Sequence, residues 1–155
     1  MDDITDIPGV LVTPLKHVAN DKGEIMHLLR KVDPGYNGFG ETYISIVKPG
    51  MIKGWKRHRQ MTLNLIVPVG EIEFRAIDNR SSSGRILTGA ICLSPANYQR
   101  LTVPAGVWLS FCGRGAGLNL LINVADLMHD PLEADNVPIG APSLPDAWLS
   151  SEPNL

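Results

Sequence analysis

The chain has 155 residues, with 14 Lys and Arg against 16 Asp and Glu and a formal net charge of −2. That length suits one domain that buries a core without disulfides or a structural metal, so a single unit over residues 1–155 is expected. Near-neutral charge argues against a sequence-independent grip on nucleic acid or an anionic membrane, and any bound anion must be held locally.

Fifteen Gly and twelve Pro are spread along the chain and punctuate many short apolar runs, an all-β pattern. Strands are expected over residues 10–14, 23–30, 40–47, 50–53, 63–67, 72–78, 85–93, 99–103, 107–112 and 117–124. Asp21-Lys22-Gly23, Pro49-Gly50, Val69-Gly70 and residues 79–84 and 113–115 supply turns between them. So many short strands suit two packed sheets or a jelly roll. Residues 71–78 alternate charged with apolar, which predicts one buried face and one facing water or a polar cavity. Residues 118–124 are almost wholly apolar and are expected to be buried on both faces. Only residues 126–133 read as helical. Beyond them Pro131, Pro138, Pro142, Pro145 and Pro153 predict a loop-like tail that packs through Trp148. The barrel then occupies about residues 9–125 and a C-terminal extension residues 126–155. No stretch approaches the length of a membrane-spanning helix, and the acidic Met1-Asp2-Asp3-Ile4-Thr5-Asp6 has no apolar run behind it. Cys92 and Cys112 sit in apolar strand-like contexts, which favours free buried thiols and a cytoplasmic setting.

Two blocks carry the most information: Pro49-Gly50-Met51-Ile52-Lys53-Gly54-Trp55-Lys56-Arg57-His58 and Val103-Pro104-Ala105-Gly106-Val107-Trp108. Each is a turn opening a strand, and their layout resembles the two motifs of a cupin barrel. In metal-binding cupins three His and a Glu meet at one ion. Here the matching positions read Lys56, His58, Thr62 or Leu63, and Leu109, so the resemblance implies a cupin-like jelly-roll barrel without metal. Of the histidines, His17, His27, His58 and His129, no two have ligand spacing.

Four blocks in order resemble the dTDP-4-dehydrorhamnose 3,5-epimerase family, a metal-free cupin branch acting on nucleotide-linked keto-sugars. They are Asn20-Asp21-Lys22-Gly23, the block from Met51 to His58, Gly70-Glu71-Ile72 with Asp78-Asn79-Arg80, and the block from Val103 to Phe111. The resemblance implies an epimerase or isomerase of a dTDP-linked 4-keto-6-deoxyhexose in deoxysugar or polysaccharide synthesis. It also implies no cofactor, and a homodimer. Position by position, the family's general base falls on Lys56 and its phosphate-contacting arginines on Lys22 and Lys53. Its lysine and tyrosine fall on Leu63 and near Ile122, which transfer no proton. The segment His129-Asp130-Pro131 is similar to short epimerase-like proteins of polysaccharide gene clusters.

Epimerisation beside a ketone needs a base for the acidified C–H, an electrophile for the enolate oxygen and an acid on the other face. His58 is the candidate base, because an imidazole titrates near neutrality, and it shares a strand face with Lys56. Lys56, Lys53 or Arg57 would stabilise the enolate, and Tyr43 is the candidate acid. The substrate-binding candidates are Lys53, Arg57, Asn64, Arg75, Trp108 and Lys22, with Trp55 or Trp108 stacking on a sugar or base. Each has a plainer role open to it: a solvated rim for residues 56–59, barrel core or dimer interface for the tryptophans, a backbone hydrogen bond for Asn64. Two other functions stay open, a sugar-nucleotide binding module without turnover and a metal-dependent cupin enzyme.

Overall fold

The computed structural model describes residues 1–148. Its strands are β1 (Asp2–Asp3), β2 (Leu11–Pro14), β3 (His17–Asn20), β4 (Gly23–Met26), β5 (Glu41–Ile46), β6 (Ile52–His58) and β7 (Leu63–Val69). They continue with β8 (Ile72–Asp78), β9 (Leu87–Leu93), β10 (Gln99–Val103), β11 (Trp108–Gly113), β12 (Leu120–Ala125) and β13 (Ala134–Asn136). One sheet runs β1-β9-β8-β11-β6-β13, the second β2-β10-β7-β12-β5, and β3 and β4 form a separate hairpin. This is an all-β, cupin-like jelly roll.

Strict side-chain alternation builds the core between the two sheets. Leu63, Leu65 and Val67 of β7 meet Ile72, Phe74 and Ala76 of β8, with Leu101, Val103, Leu109, Leu121 and Ala125 closing the cluster. The turn of the second cupin block sits on the first. Gly106 has φ +88°, and its N–H donates to the His58 carbonyl at 2.8 Å.

Several expected elements differ. Strand 23–30 stops at Met26, because residues 27–35 cross the outside of the second sheet, where side chains satisfy their carbonyls. Arg100, wholly buried, donates to Leu28 O at 2.9 Å and Pro34 O at 2.6 Å, and the Tyr98 hydroxyl donates to His27 O. β12 is buried on one face only, through Leu121, Asn123 and Ala125. Instead of a helix over 126–133 there is one 3-10 turn, Pro131–Glu133, capped by Asp130. The acidic side chains there tie the chain to the barrel: Asp126 accepts Thr62 N–H at 2.8 Å, and Glu133 accepts Gln60 N–H at 2.7 Å.

After that turn the chain forms a strap. β13 pairs with the edge of β6, Val137 and Trp55 exchange backbone hydrogen bonds at 2.9 and 3.0 Å, and the tail crosses the outer face of the first sheet. There Leu144, Ala147 and Trp148 pack with Trp55, Ile77, Trp108 and Cys112. The charged face of β8 therefore lies under this tail rather than in water. Cys112 is buried, Cys92 is exposed, and both are free. No helix of the described residues is long and apolar enough to cross a membrane.

Candidate active site

A cavity of about 500 Å³ opens between the sheets beneath the strap. The first sheet lends it Lys53, Lys56, His58, Leu109 and Phe111, and the second lends Tyr43, Ser45, Leu63, Leu65, Leu121 and Asn123. Asn136, Val137 and Pro138 of the strap complete the wall. No Asp or Glu of the described residues lines it, so the two lysine ammonium groups make it electropositive.

Both lysines face inward because β6 is irregular. Opposite β11, Leu109 pairs with Lys56 and Phe111 with Lys53, three steps on one strand against two on the other. That bulge reverses the alternation between positions 53 and 56. Gly54 sits within it at φ +122°, where an added Cβ would lie 2.6 Å from Ser110 Cβ and 2.8 Å from Leu109 O. Glycine alone fits there. Lys53 Nζ donates to Ile46 O at 3.0 Å, which bridges β6 to β5.

His58 is 8 % exposed, and its Nδ1 lies 2.6 Å from Glu133 Oε2. The other carboxylate oxygen accepts the N–H groups of Gln60 and Met61 at 2.7 and 2.8 Å. Burial pushes the Glu133 carboxyl up, but the His58 contact and the two backbone donors outweigh it and bring it from 4.5 to about 2. An ionised Glu133 only accepts, so Nδ1 carries the hydrogen, and in the neutral ring Nε2 holds the lone pair. Just beyond, Asp135 binds Arg59 and Arg57 at 2.7 and 2.8 Å, hydrogen bonds that hold its carboxyl at about 2. From the second sheet, the hydroxyl of Tyr43 accepts a hydrogen bond from Asn123 Nδ2 at 2.9 Å.

Of the cupin ligand positions, Lys56, His58 and Leu109 line this cavity, and of the two candidates for the remaining position Leu63 does and Thr62 does not. Two of those that line it carry no donor atom and one is a cation, so the set does not fit a metal ion.

No protein-family profile matches the chain. It is 34% identical to a dTDP-sugar isomerase of Desulfovibrio desulfuricans G20, whose crystal structure superposes with a TM-score of 0.86 over 94% of each chain. The chain belongs to the dTDP-sugar isomerase family. The dTDP-4-dehydrorhamnose 3,5-epimerase of Bacillus anthracis shares the fold at 18% identity, with a TM-score of 0.74 over 94% of this chain and 87% of its own. A curated relative, a probable low-salt glycan biosynthesis epimerase of Haloferax volcanii, is 26% identical over 140 residues, 84% of this chain and 85% of its own.

Within this family frame the expected site residues divide into two groups. Tyr43, Lys53, Lys56 and His58 meet at the cavity. Arg57, Asn64, Arg75, Trp108 and Lys22 stand elsewhere, which corrects their expected placement. Arg57 points outward, its guanidinium 4.5 Å above the Trp108 ring and bound to Asp135. Trp108 is buried in the outer cluster. Arg75 holds Glu73 at 2.6 Å, donates to Ala147 O and stacks 4.1 Å from the Trp148 ring, all beneath the tail. Asn64 accepts from Arg100 Nε and the Thr102 hydroxyl at 3.0 and 2.7 Å and donates to Gly35 O, on the opposite face of β7 from Leu63 and Leu65. Lys22 lies exposed at the turn of the β3–β4 hairpin. Ser45, Asn123, Glu133 and Asn136 were not expected. Asn123 had left a trace as the single polar side chain within the apolar run 120–125.

Proposed function

We propose that the protein is a dTDP-sugar epimerase or isomerase that moves a proton beside the ketone of a 4-keto-6-deoxyhexose. The supporting observation is the pairing of a buried His58 with a half-buried Glu133 on one wall of an electropositive cavity, with the phenol of Tyr43 on the facing sheet. His58 Nε2 takes the C–H proton, and the bonding electrons pass to the carbonyl oxygen as an enolate. An ammonium group of Lys56 or Lys53 offsets that charge, and the pair also suits the diphosphate of the nucleotide. The Tyr43 O–H returns a proton to the carbon, and solvent then carries the proton held by the His58 imidazolium to the phenolate, which resets both groups. Leu63, Leu65, Leu109, Phe111 and Leu121 keep water from the reacting face.

Incubation with dTDP-4-keto-6-deoxyglucose, followed by NMR, is expected to yield a stereoisomer or positional isomer of the keto sugar. An unchanged sugar that still raises the melting temperature would overturn turnover and leave the binding-module reading.

We also propose a homodimer. Ile44 and Ile46 stand 60% and 58% exposed on edge strand β5, and Ile25 stands 62% exposed on the β3–β4 hairpin, whose strands pair with neither sheet. Edge strands with apolar faces call for cover. Sedimentation at several concentrations is expected to give a dimer mass; a monomer throughout contradicts this.

A further inference from the structure

Asn123 and Tyr43 are directly opposed in the β12–β5 register and share the cavity face. The Asn123 amide donates to the phenol oxygen at 2.9 Å, while the Tyr43 O–H finds no acceptor among the described residues. A phenol oxygen that already accepts an N–H turns its own hydrogen elsewhere, here to whatever occupies the cavity. Asn123 is 3% exposed, and its Oδ1 is buried with no hydrogen-bond partner among the described residues. An unmet buried carbonyl lowers stability, so the fold gains little from this amide compared with an apolar side chain of similar size.

We propose that Asn123 is a positioning residue that holds Tyr43 as a proton donor toward the substrate. This rests on the reading of Tyr43 as the acid of a proton-transfer enzyme. Base and acid steps separate experimentally. His58 removes the C–H proton and can return a deuteron from solvent to the same face, which gives exchange without product, whereas product formation on the other face needs Tyr43.

The experiment compares solvent-deuterium exchange with product formation for the wild type, Tyr43→Phe, Asn123→Leu, Asn123→Ala and the double variant Tyr43→Phe/Asn123→Leu, with dTDP-4-keto-6-deoxyglucose as substrate. Asn123→Leu is expected to melt no lower than the wild type and to keep exchange within about threefold. Product formation is expected to fall about 100-fold in Tyr43→Phe and about 10- to 100-fold in both Asn123 variants. The double variant is expected to be no slower than Tyr43→Phe, because the two residues act as one unit. Full product formation in both Asn123 variants, equal loss of exchange and product, or multiplied losses in the double variant would overturn the proposal. Full product formation in Tyr43→Phe would overturn it by a different route, since the fault would then lie in the assignment of the acid.

Discussion

Glu133 spends one carboxylate oxygen on His58 and the other on two backbone N–H groups, and this division fixes the proton on the imidazole. In Glu133→Gln the amide oxygen would keep the two backbone donors, so its NH2 would face His58 and donate to Nδ1. The ring hydrogen would then move to Nε2, where the lone pair is needed. We expect kcat to fall about 100-fold or more with little change in KM, as when a base is held in the wrong tautomer; steady-state kinetics at neutral pH check this, and an unchanged kcat contradicts it. The outward placement of Arg57, Asn64, Arg75 and Trp108 is legible in the sequence. Arg57 lies between Lys56 and His58, Asn64 between Leu63 and Leu65, Arg75 between Phe74 and Ala76, and Trp108 beside Leu109. Period-two alternation turns each away from neighbours that face inward. The same rule fails between Lys53 and Lys56, where the bulge at Gly54 restores both to one face.

Among the elements, the seam of β6 and β13 carries the site's ionic structure. Glu133 and Asp135 both titrate lower in the folded protein, from 4.5 and 3.8 respectively to about 2. A carboxylate depressed by folding stabilises the protein fully above its unfolded pKa and loses that contribution as pH falls toward its folded pKa. We therefore expect the strap to loosen between about pH 4.5 and pH 2. Denaturant midpoints measured across that window should decline less steeply in Glu133→Gln than in the wild type, and equal slopes would contradict this. The strands of the barrel were largely readable because turns rich in Gly and Pro bound their alternating or apolar runs. β13 and the Glu133 contact were not. They depend on the chain returning 75 residues later to pair with β6, and a three-residue edge strand within a Pro-rich tail has no periodicity of its own.

At the scale of the whole molecule, a jelly roll supplies two facing walls, and the strap converts the gap between them into a lined cavity. The lysines and the His58–Glu133 pair come from the β6 side, while Tyr43 and Asn123 come from the β5–β12 side. Two walls with opposed proton-transfer groups suit a reaction that takes a proton from one side of a carbon and returns one from the other. Fold and family were legible through the order and spacing of the four blocks. The site itself was half legible, because the bulge in β6 breaks the alternation that places Lys53 and Lys56, and Glu133 reaches His58 only through the returning strap. The most direct test is solvent-deuterium incorporation into a panel of dTDP-, CDP- and GDP-linked 4-keto sugars, with the wild type beside His58→Ala. Deuterium is expected beside the ketone of a dTDP sugar, lost about 100-fold or more in the variant. Exchange that persists in His58→Ala, or no exchange with any sugar, would contradict it.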